Sequence, residues 1–211
     1  DEKKISLLKF ICKENKINFL ISIFGSSSIE LMKKLKINNI KIPSHEVGNK
    51  KLILCSSKYF SKIYFSTGAS EKKEIINARN VFKKNKNDFL LMHCVSSYPC
   101  LNENINLPRI TWLKTLHKKV GLSDHTSSTL VPSISVSMGA SVIEKHFTTD
   151  NSLPGRDNKF ALTPFRFKEM VDNIRDTEEA LVFKGLNFQK SEKEVISKYR
   201  GRWEPTDYLK K

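Results

Sequence analysis

The sequence predicts an α/β protein in which parallel strands alternate with helices. Short apolar runs recur along the chain and are separated by amphipathic stretches with helical spacing. The runs are apolar almost throughout rather than at every second residue, which indicates strands buried on both faces of a parallel sheet. One strand and its helix together take roughly 20–30 residues, so we expect about six βα units in series.

The individual elements follow in order along the chain. The strands are predicted at 17–24, 38–44, 62–67, 88–94, 119–123 and 140–147. The helices between them are predicted at 28–35, 50–60, 70–84, 106–118 and 129–140. A helix over 3–14 precedes this series, and a helix over 164–183 with proline at its first position follows it. After Gly185 the residues are polar without a clear period, which predicts a linker or the start of a second element.

The composition is typical of one soluble globular domain with a sizeable core. The chain has 211 residues, of which 39% are hydrophobic and 28% are charged. No apolar run approaches the roughly 20 residues of a membrane-spanning helix, and the first residues lack a secretory signal pattern. The chain begins at Asp1 rather than Met and can be a fragment. Cys12, Cys55, Cys94 and Cys100 lack CxxC spacing, which predicts reduced thiols in a cytoplasmic protein.

The formal net charge of +15 would suit an anionic partner such as nucleic acid. The lysines, however, are spread among Asn and Ile residues, without aromatic interleaving and without a basic stripe. A compositional bias toward Lys, Asn and Ile explains the charge without a functional cause. We therefore predict neither a nucleic-acid-binding protein nor a membrane protein.

Nearly every predicted strand ends in polar side chains that can bind an anion, a metal ion or a sugar. In parallel βα folds the active site forms beyond the carboxyl ends of the strands. Packing alone does not readily explain polar ends on six strands. We therefore expect these side chains to meet at one opening of the fold, which we call the mouth. In chain order they are Ser22; Lys41, Ser44 and Glu46; Ser66 and Thr67; His93 and Ser96; Ser123 and His125; Glu144 and His146.

Two consecutive strands end in a histidine close to a carboxylate, in Asp124–His125 and in Glu144 with His146. Neighbouring strands lie about 4.8 Å apart, so the two imidazoles can share one divalent cation and leave positions open for Lewis-acid catalysis. Asp124 and Glu144 can add charge or orient the rings. Two histidines alone are weak evidence for a metal site. A purely structural, hydrogen-bonding role for both histidines is therefore an alternative that the sequence supports at least as well.

A second candidate group combines one lysine with four serines. A lysine among hydroxyl groups at strand ends can hold a phosphate. Each serine taken singly is more commonly a turn or cap residue, and only the combination with the lysine is suggestive. The group consists of Lys41, Ser44, Ser66, Ser96 and Ser123.

Three further residues lie in loops close to these strand ends. Glu46 can transfer a proton or polarise a bound group, or it can be a solvated loop carboxylate. Tyr98, in the stretch SSYP, can contact a substrate through its phenol or can be a buried tyrosine with a satisfied hydroxyl. Asp157 lies in the tight turn LPGRD, which is expected to hold its carboxylate near the mouth.

Six stretches of the chain, in this order and at matching intervals, resemble the sialic acid synthase family, which includes N-acetylneuraminate, legionaminate and pseudaminate synthases. They are KIPSHEVGN, FSTG, LMHCVSSYP, GLSDHT, VIEKHFT and LPGRD. The similarity runs from about residue 15 to about residue 184. The pairing of GLSDHT with VIEKHFT is highly specific to this family.

The resemblance implies a TIM-type (β/α)8 barrel that condenses phosphoenolpyruvate with an open-chain N-acetylated sugar such as N-acetylmannosamine, forming a nine-carbon 2-keto acid and phosphate. His125 and His146 would hold Mn²⁺ or Mg²⁺, which polarises the sugar aldehyde, and Glu46 would lie near the reacting carbons. Tyr98 and Asp157 would face the sugar. The full set of implied substrate-binding residues is Ser22, Lys41, Ser44, Ser66, Ser96, Tyr98, Ser123, Glu144 and Asp157.

The chain also departs from the family pattern. FLISIF stands where FLSTPF is usual, and Arg156 stands where Pro is common. With about six strand units, the chain would lack the first two strands of the barrel and the C-terminal antifreeze-like domain. We therefore expect a partial catalytic barrel over 1–184, followed over 185–211 by a linker or the start of the missing domain.

These gaps leave several interpretations open. The chain is expected to be part of a longer gene product that is a homodimer when full length, or a poorly folding and inactive remnant. A truncated homologue that binds a sugar or a partner chain without turnover is one alternative. Another metal-dependent barrel aldolase or isomerase is a second, since it would need the same cation pair.

Overall fold

The computed structural model describes residues 1–203, and these contain one sheet of six parallel strands in chain order. Each strand pairs in parallel with the next one along the chain. The strands are β1 Ile21–Ser22, β2 Asn39–Ile42, β3 Lys62–Ser66, β4 Asp88–Cys94, β5 Val120–Asp124 and β6 Ile143–Lys145. The predicted α/β class and the parallel arrangement are confirmed.

Helices follow the strands as predicted, and two more flank the series. The α-helices are α1 Glu2–Glu14, α2 Ser28–Lys34, α3 Lys50–Tyr59, α4 Lys72–Lys84, α5 Arg109–Leu116, α6 Val131–Ser137, α7 Pro164–Ala180 and α8 Lys193–Lys198. Single 3₁₀ turns lie at Ser44–Glu46, Asn102–Asn104 and Lys190–Glu192. Among residues 1–203, none of these helices is both long and apolar enough to cross a bilayer.

The chain divides into two compact units between Glu178 and Glu179, and the sheet belongs to the first. The second contains α8, so part of the stretch predicted to be without a clear period is helical. The end of the predicted segment 185–211, from residue 204 onward, lies outside the described residues.

The two edge strands are much shorter than the apolar runs that predict them. β1 pairs only at Ile21 and Ser22 within the run 17–24, and β6 pairs over Ile143–Lys145 within 140–147. Each edge strand has one neighbour among the described strands, so its ladder depends on a single register. The central strand β4, by contrast, has the predicted bounds.

The core lies between the sheet and its helices. One face of the sheet contributes fully buried aliphatic residues such as Ile40, Ile63 and Leu122, which pack with helical residues such as Leu52 and Ile110 in a single cluster. Burial of each such side chain stabilises the fold by about 1.5–3 kcal/mol. Because side chains alternate along a strand, the intervening residues face the opposite, concave side.

The sheet is strongly curled. Lys41 in β2 forms an ion pair with Glu144 in β6, although three strands lie between them. In a flat sheet these strands would be about 19 Å apart, four spacings of about 4.8 Å, which is too far for the two side chains to span. The six strands therefore form a curled half-barrel, and the carboxyl ends of all six line one mouth.

Candidate active site

His125 and His146 face each other at the carboxyl ends of β5 and β6. The register pairs Ser123 with Glu144, and each histidine follows two residues later. Residues two apart share a face of a strand, so the four side chains lie on the concave side of the sheet. The two imidazole centroids are 5.2 Å apart. The predicted convergence of the two rings is therefore present in the structure.

The hydrogen bonds of His125 define its tautomer. Its Nδ1 lies 2.8 Å from the carbonyl oxygen of Val95, and a carbonyl can only accept, so in the neutral ring Nδ1 carries the hydrogen and Nε2 keeps its lone pair. Burial works against the charged ring, but the thiol of Cys94, 3.9 Å from Nδ1, and the Val95 carbonyl together raise the pKa of His125 above its ordinary value.

His146 is held on its other side by Asp157. Its Nδ1 lies 3.4 Å from an oxygen of that carboxylate. Burial, together with the neighbouring ring of His125, lowers the pKa of His146. A neutral imidazole is the form that binds metal ions, so the environment of His146 favours the ligand form.

Tyr98 packs on the histidine pair. Its ring centroid lies 4.2 Å from that of His125 and 6.1 Å from that of His146. Burial raises the pKa of the Tyr98 phenol, and Cys94 and Asp157 add to the effect. The phenol therefore stays protonated near neutral pH and can donate a hydrogen bond to a ligand.

A compact group of small side chains lies beside the histidines. The backbone N–H of Gly68 donates to Ser44 Oγ at 3.0 Å. A Cβ at Gly68 would lie 2.5 Å from Ser96 Oγ, so only glycine leaves this space open. The buried Ser66 Oγ has no hydrogen-bond partner within the described residues, and such an orphaned hydroxyl is costly unless a ligand or water meets it. We call Ser44, Ser66, Gly68 and Ser96 the anion cradle.

Lys41 and Glu144 lie beside the histidine pair, and Cys94 connects the pair to the cradle. The side chain of Lys41 is only 12% exposed and donates to Glu144 Oε1. The other oxygen, Glu144 Oε2, is buried and has no partner among residues 1–203. Since Glu144 is two residues before His146, and Cys94 lies between Ser96 and His125, the two predicted groups form one site.

Three predicted residues lie at the margin of this site. Ser22 is the register partner of Lys41, and the buried Ser123 is the register partner of Cys94. Glu46 ends the 3₁₀ turn that begins at Ser44, and its carboxylate accepts a hydrogen bond from Asn49 at 2.7 Å. The turn thus holds Glu46 in the loop that follows β2.

Two expectations about strand ends are wrong. His93 is fully buried, and its Nε2 lies 2.6 Å from the carbonyl oxygen of Ile105 rather than at the mouth. Asp124 does not meet the histidine pair, because it is paired with Lys145 at 2.5 Å. Both residues are one position out of phase with the concave face, so alternation along the strand turns them toward the helices.

Sequence reasoning missed Gly68 and Cys94 as parts of the site. Both lie inside motifs that the sequence analysis quoted, FSTG and LMHCVSSYP. Strand alternation offers a signal for Cys94, which is two residues beyond the concave-facing Met92. Gly68 lies in a loop after β3, and its importance follows only from the side chains that surround it.

A divalent cation needs several nitrogen or oxygen donors that converge on one point. Within residues 1–203 no cluster of three or more His, Cys, Asp or Glu side chains is arranged to hold a metal ion. His125 and His146 supply two imidazoles, and Glu144 has an oxygen without a partner among the described residues. Imidazole nitrogen suits transition-metal ions and carboxylate oxygen suits Mn²⁺ and Mg²⁺, so this set is compatible with Mn²⁺ and leaves several coordination positions to other ligands.

Comparison with known proteins identifies the family. The chain is 38% identical to the N,N'-diacetyllegionaminic acid synthase of Legionella pneumophila over 182 residues, 83% of this chain and 51% of that protein. It is 36% identical over 193 residues to the spore coat polysaccharide biosynthesis protein SpsE of Bacillus subtilis, 90% of this chain and 52% of SpsE. The chain spans about half the length of these curated relatives.

Structure and family comparisons agree. The crystal structure of N-acetylneuraminic acid synthetase from Leptospira borgpetersenii, in complex with citrate, superposes with a TM-score of 0.87 at 31% identity, covering 96% of this chain and 71% of that one. The NeuB family matches residues 1–185. Proteins similar to this chain include ones named as legionaminic, pseudaminic and sialic acid synthases. The resemblance is confirmed, and the chain belongs to the NeuB family.

Proposed function

We propose that the chain carries the substrate site of a synthase that condenses phosphoenolpyruvate with an N-acetylated sugar aldehyde, either N-acetylmannosamine or a related bacterial sugar. One observation carries the proposal: the histidine pair lies beside Lys41 and the anion cradle, and Glu144 and Cys94 join the two. An ester anion that attacks a carbonyl carbon needs these two kinds of group side by side.

Phosphoenolpyruvate would occupy the cradle. Lys41 supplies a positive charge, and the hydroxyl groups of the cradle supply donors, with the orphaned Ser66 Oγ as the best placed. Ser22 and Ser123 border this space. Because Lys41 is paired with Glu144 in the free protein, the arriving anion shares or replaces that carboxylate as the partner of the ammonium group.

The sugar aldehyde would bind at the histidine pair. Mn²⁺ or Mg²⁺ held by His125 and His146 would supply Lewis-acid polarisation of the carbonyl oxygen. The Val95 carbonyl keeps the hydrogen of His125 on Nδ1, which leaves Nε2 as the ligand atom. The protonated Tyr98 donates a hydrogen bond to the sugar, Asp157 binds sugar hydroxyls, and Glu46 moves a proton near the reacting carbons.

The remaining expectations concern the location, the domain division and the partners of the protein. All four cysteines are free thiols, which supports the predicted cytoplasmic location. The division into a catalytic part over 1–184 and a following segment stays a prediction, and so do the homodimer and the absence of nucleic-acid and membrane partners.

Phosphate release from phosphoenolpyruvate tests the proposal. The assay contains Mn²⁺ and a panel of N-acetylated hexoses, and the control is the same protein carrying His146→Ala. We expect phosphate release that requires both the sugar and the cation. A barrel aldolase or isomerase would instead turn over sugars without consuming phosphoenolpyruvate, and a non-catalytic homologue would bind ligands without releasing phosphate.

A further inference from the structure

A buried ion pair joins β5 and β6, the strands that precede the two histidines, on the face of the sheet that packs against the helices. Lys145 Nζ lies 2.5 Å from Asp124 Oδ2, and the two side chains are 2% and 0% exposed. Asp124 and Lys145 are register partners in β5 and β6. Each directly precedes one of the two histidines, so the ion pair and the rings are adjacent in sequence on each strand.

The same pair also anchors the chain that follows His125. Lys145 Nζ donates to the carbonyl oxygens of Thr126 and Ser128, at 2.5 and 3.1 Å. Asp124 accepts from the backbone N–H of Thr126 at 2.8 Å and from its hydroxyl at 3.0 Å. The backbone on both sides of His125 is therefore tied to β6 through a single ammonium group.

Stability alone does not account for such a pair. Desolvation of two charges offsets much of their attraction, and apolar side chains of similar volume often serve a buried position as well or better. The surroundings nevertheless supply polar partners for both Asp124 and Lys145, from the backbone and side chain of Thr126 and the carbonyl oxygen of Ser128. A precise geometric function explains this arrangement better than packing.

We propose that the Asp124–Lys145 pair is a positioning device that sets the separation and orientation of His125 and His146 for a shared divalent cation. The inference rests on the proposed function of the histidine pair. Small rotations of β6 against β5 would move the ring of His146 relative to that of His125, and the ion pair holds the two strands in one relation. Neither Asp124 nor Lys145 touches substrate in this scheme.

The test removes both charges together, because a single substitution can leave a lone buried charge. In Asp124→Asn/Lys145→Met we expect cooperative unfolding to persist and the affinity for Mn²⁺ to fall about 10- to 100-fold, the usual effect of residues that orient metal ligands. We also expect the ring centroids in a crystal structure of this variant to shift from their 5.2 Å separation by at least about 0.5 Å, the tolerance of a preorganised site.

The chain offers a matched control. Lys119 and Asp88 also link neighbouring strands, β5 and β4, at a distance of 2.6 Å, but they lie at the amino ends of the strands and are 55% and 43% exposed. The double variant Asp88→Asn/Lys119→Met is expected to leave both the Mn²⁺ affinity and the ring separation unchanged. A loss in this control as well would mean that general loosening of the sheet, rather than positioning, is responsible, and would overturn the inference.

Two measurements separate this inference from the proposed function. If the unsubstituted protein binds no Mn²⁺, the proposed cation site fails, and the ring separation alone then decides whether the ion pair positions the histidines. A folded double variant with unchanged ring separation and Mn²⁺ affinity overturns the inference. If the double variant does not fold, Lys145→Arg decides, because it keeps both charges and changes only the length and shape of the cation: a weaker affinity for Mn²⁺ supports positioning, and an unchanged affinity refutes it.

Discussion

One added methyl group at Gly68 is expected to close the anion cradle while the fold persists. The new Cβ would lie 2.5 Å from Ser96 Oγ and 2.9 Å from both Cys94 Sγ and Ser44 Oγ, closer than real Cβ atoms approach other atoms. Gly68 is not one of the glycines with a positive φ. Gly68→Ala therefore introduces a steric conflict in the cradle without backbone strain.

The size of the effect follows from two separate costs. Overpacking a tight site costs roughly 1–3 kcal/mol of stability, which a domain of this size can lose and still fold. Displacement of cradle hydroxyl groups removes hydrogen bonds to a charged ligand, at about 1.5–3 kcal/mol. Since about 1.4 kcal/mol corresponds to a factor of ten, the dissociation constant for phosphoenolpyruvate should rise roughly 10- to 150-fold.

Calorimetric titration with phosphoenolpyruvate measures the binding effect, and urea unfolding of the same sample measures the stability. The control is Gly48→Ala, whose Cβ would meet only the carboxylate of Glu74, at 3.2 Å, on the protein surface. This control should bind phosphoenolpyruvate normally. If Gly68→Ala is destabilised yet binds phosphoenolpyruvate as tightly as the unsubstituted protein, the cradle is not the anion site. The part of the proposed function that places phosphoenolpyruvate in the cradle is then refuted.

Four further substitutions probe the rest of the site and the core. His125→Ala and His146→Ala should each abolish Mn²⁺ binding and phosphate release with the melting transition kept, and near-normal turnover in both would exclude the cation role. Lys41→Met should weaken phosphoenolpyruvate binding about 10- to 100-fold through loss of a charged hydrogen bond, and equal affinity in a titration would contradict this. Burial lowers the pKa of His93, so the unfolded chain binds that proton more readily and the free energy of unfolding should fall as the pH drops from about 7 toward the lowered pKa. His93→Gln should flatten that part of the pH dependence in urea titrations, and an identical slope in both proteins would refute the assignment.

The central elements of the fold could be predicted because their signal is local. The run that becomes Asp88–Cys94 is apolar except for Asp88 and His93, and neighbouring strands cover it on both sides. The edge strands β1 and β6 pair over only part of their apolar runs. Their lengths depend on what lies beside them in space, and hydrophobic periodicity carries no information about that.

The histidine pair could likewise be predicted because it requires only two consecutive strands in register. The contact between Lys41 and Glu144 could not be predicted in this way, because those residues are 103 positions apart and meet only if the sheet curls. Curling depends on how the helices pack over the strands, which is a property of the whole chain. The space around Gly68 has the same origin, since Ser44 and Ser96 reach it from the loops of two other strands.

Strand alternation explains why the motif VIEKHFT carries both residues of the candidate site and a buried lysine. Glu144 in β6 and His146 directly after that strand lie on the concave side, whereas Lys145 between them faces the helices and meets Asp124. A shift of β6 by one residue would exchange the two faces. It would move Glu144 into the buried layer of Asp124, so that two carboxylates would be buried together. The ammonium group of Lys145 would move to the other face and pair with neither of them. That arrangement is strongly unfavourable, so the charges that are hidden from solvent select the register in which the two histidines can meet.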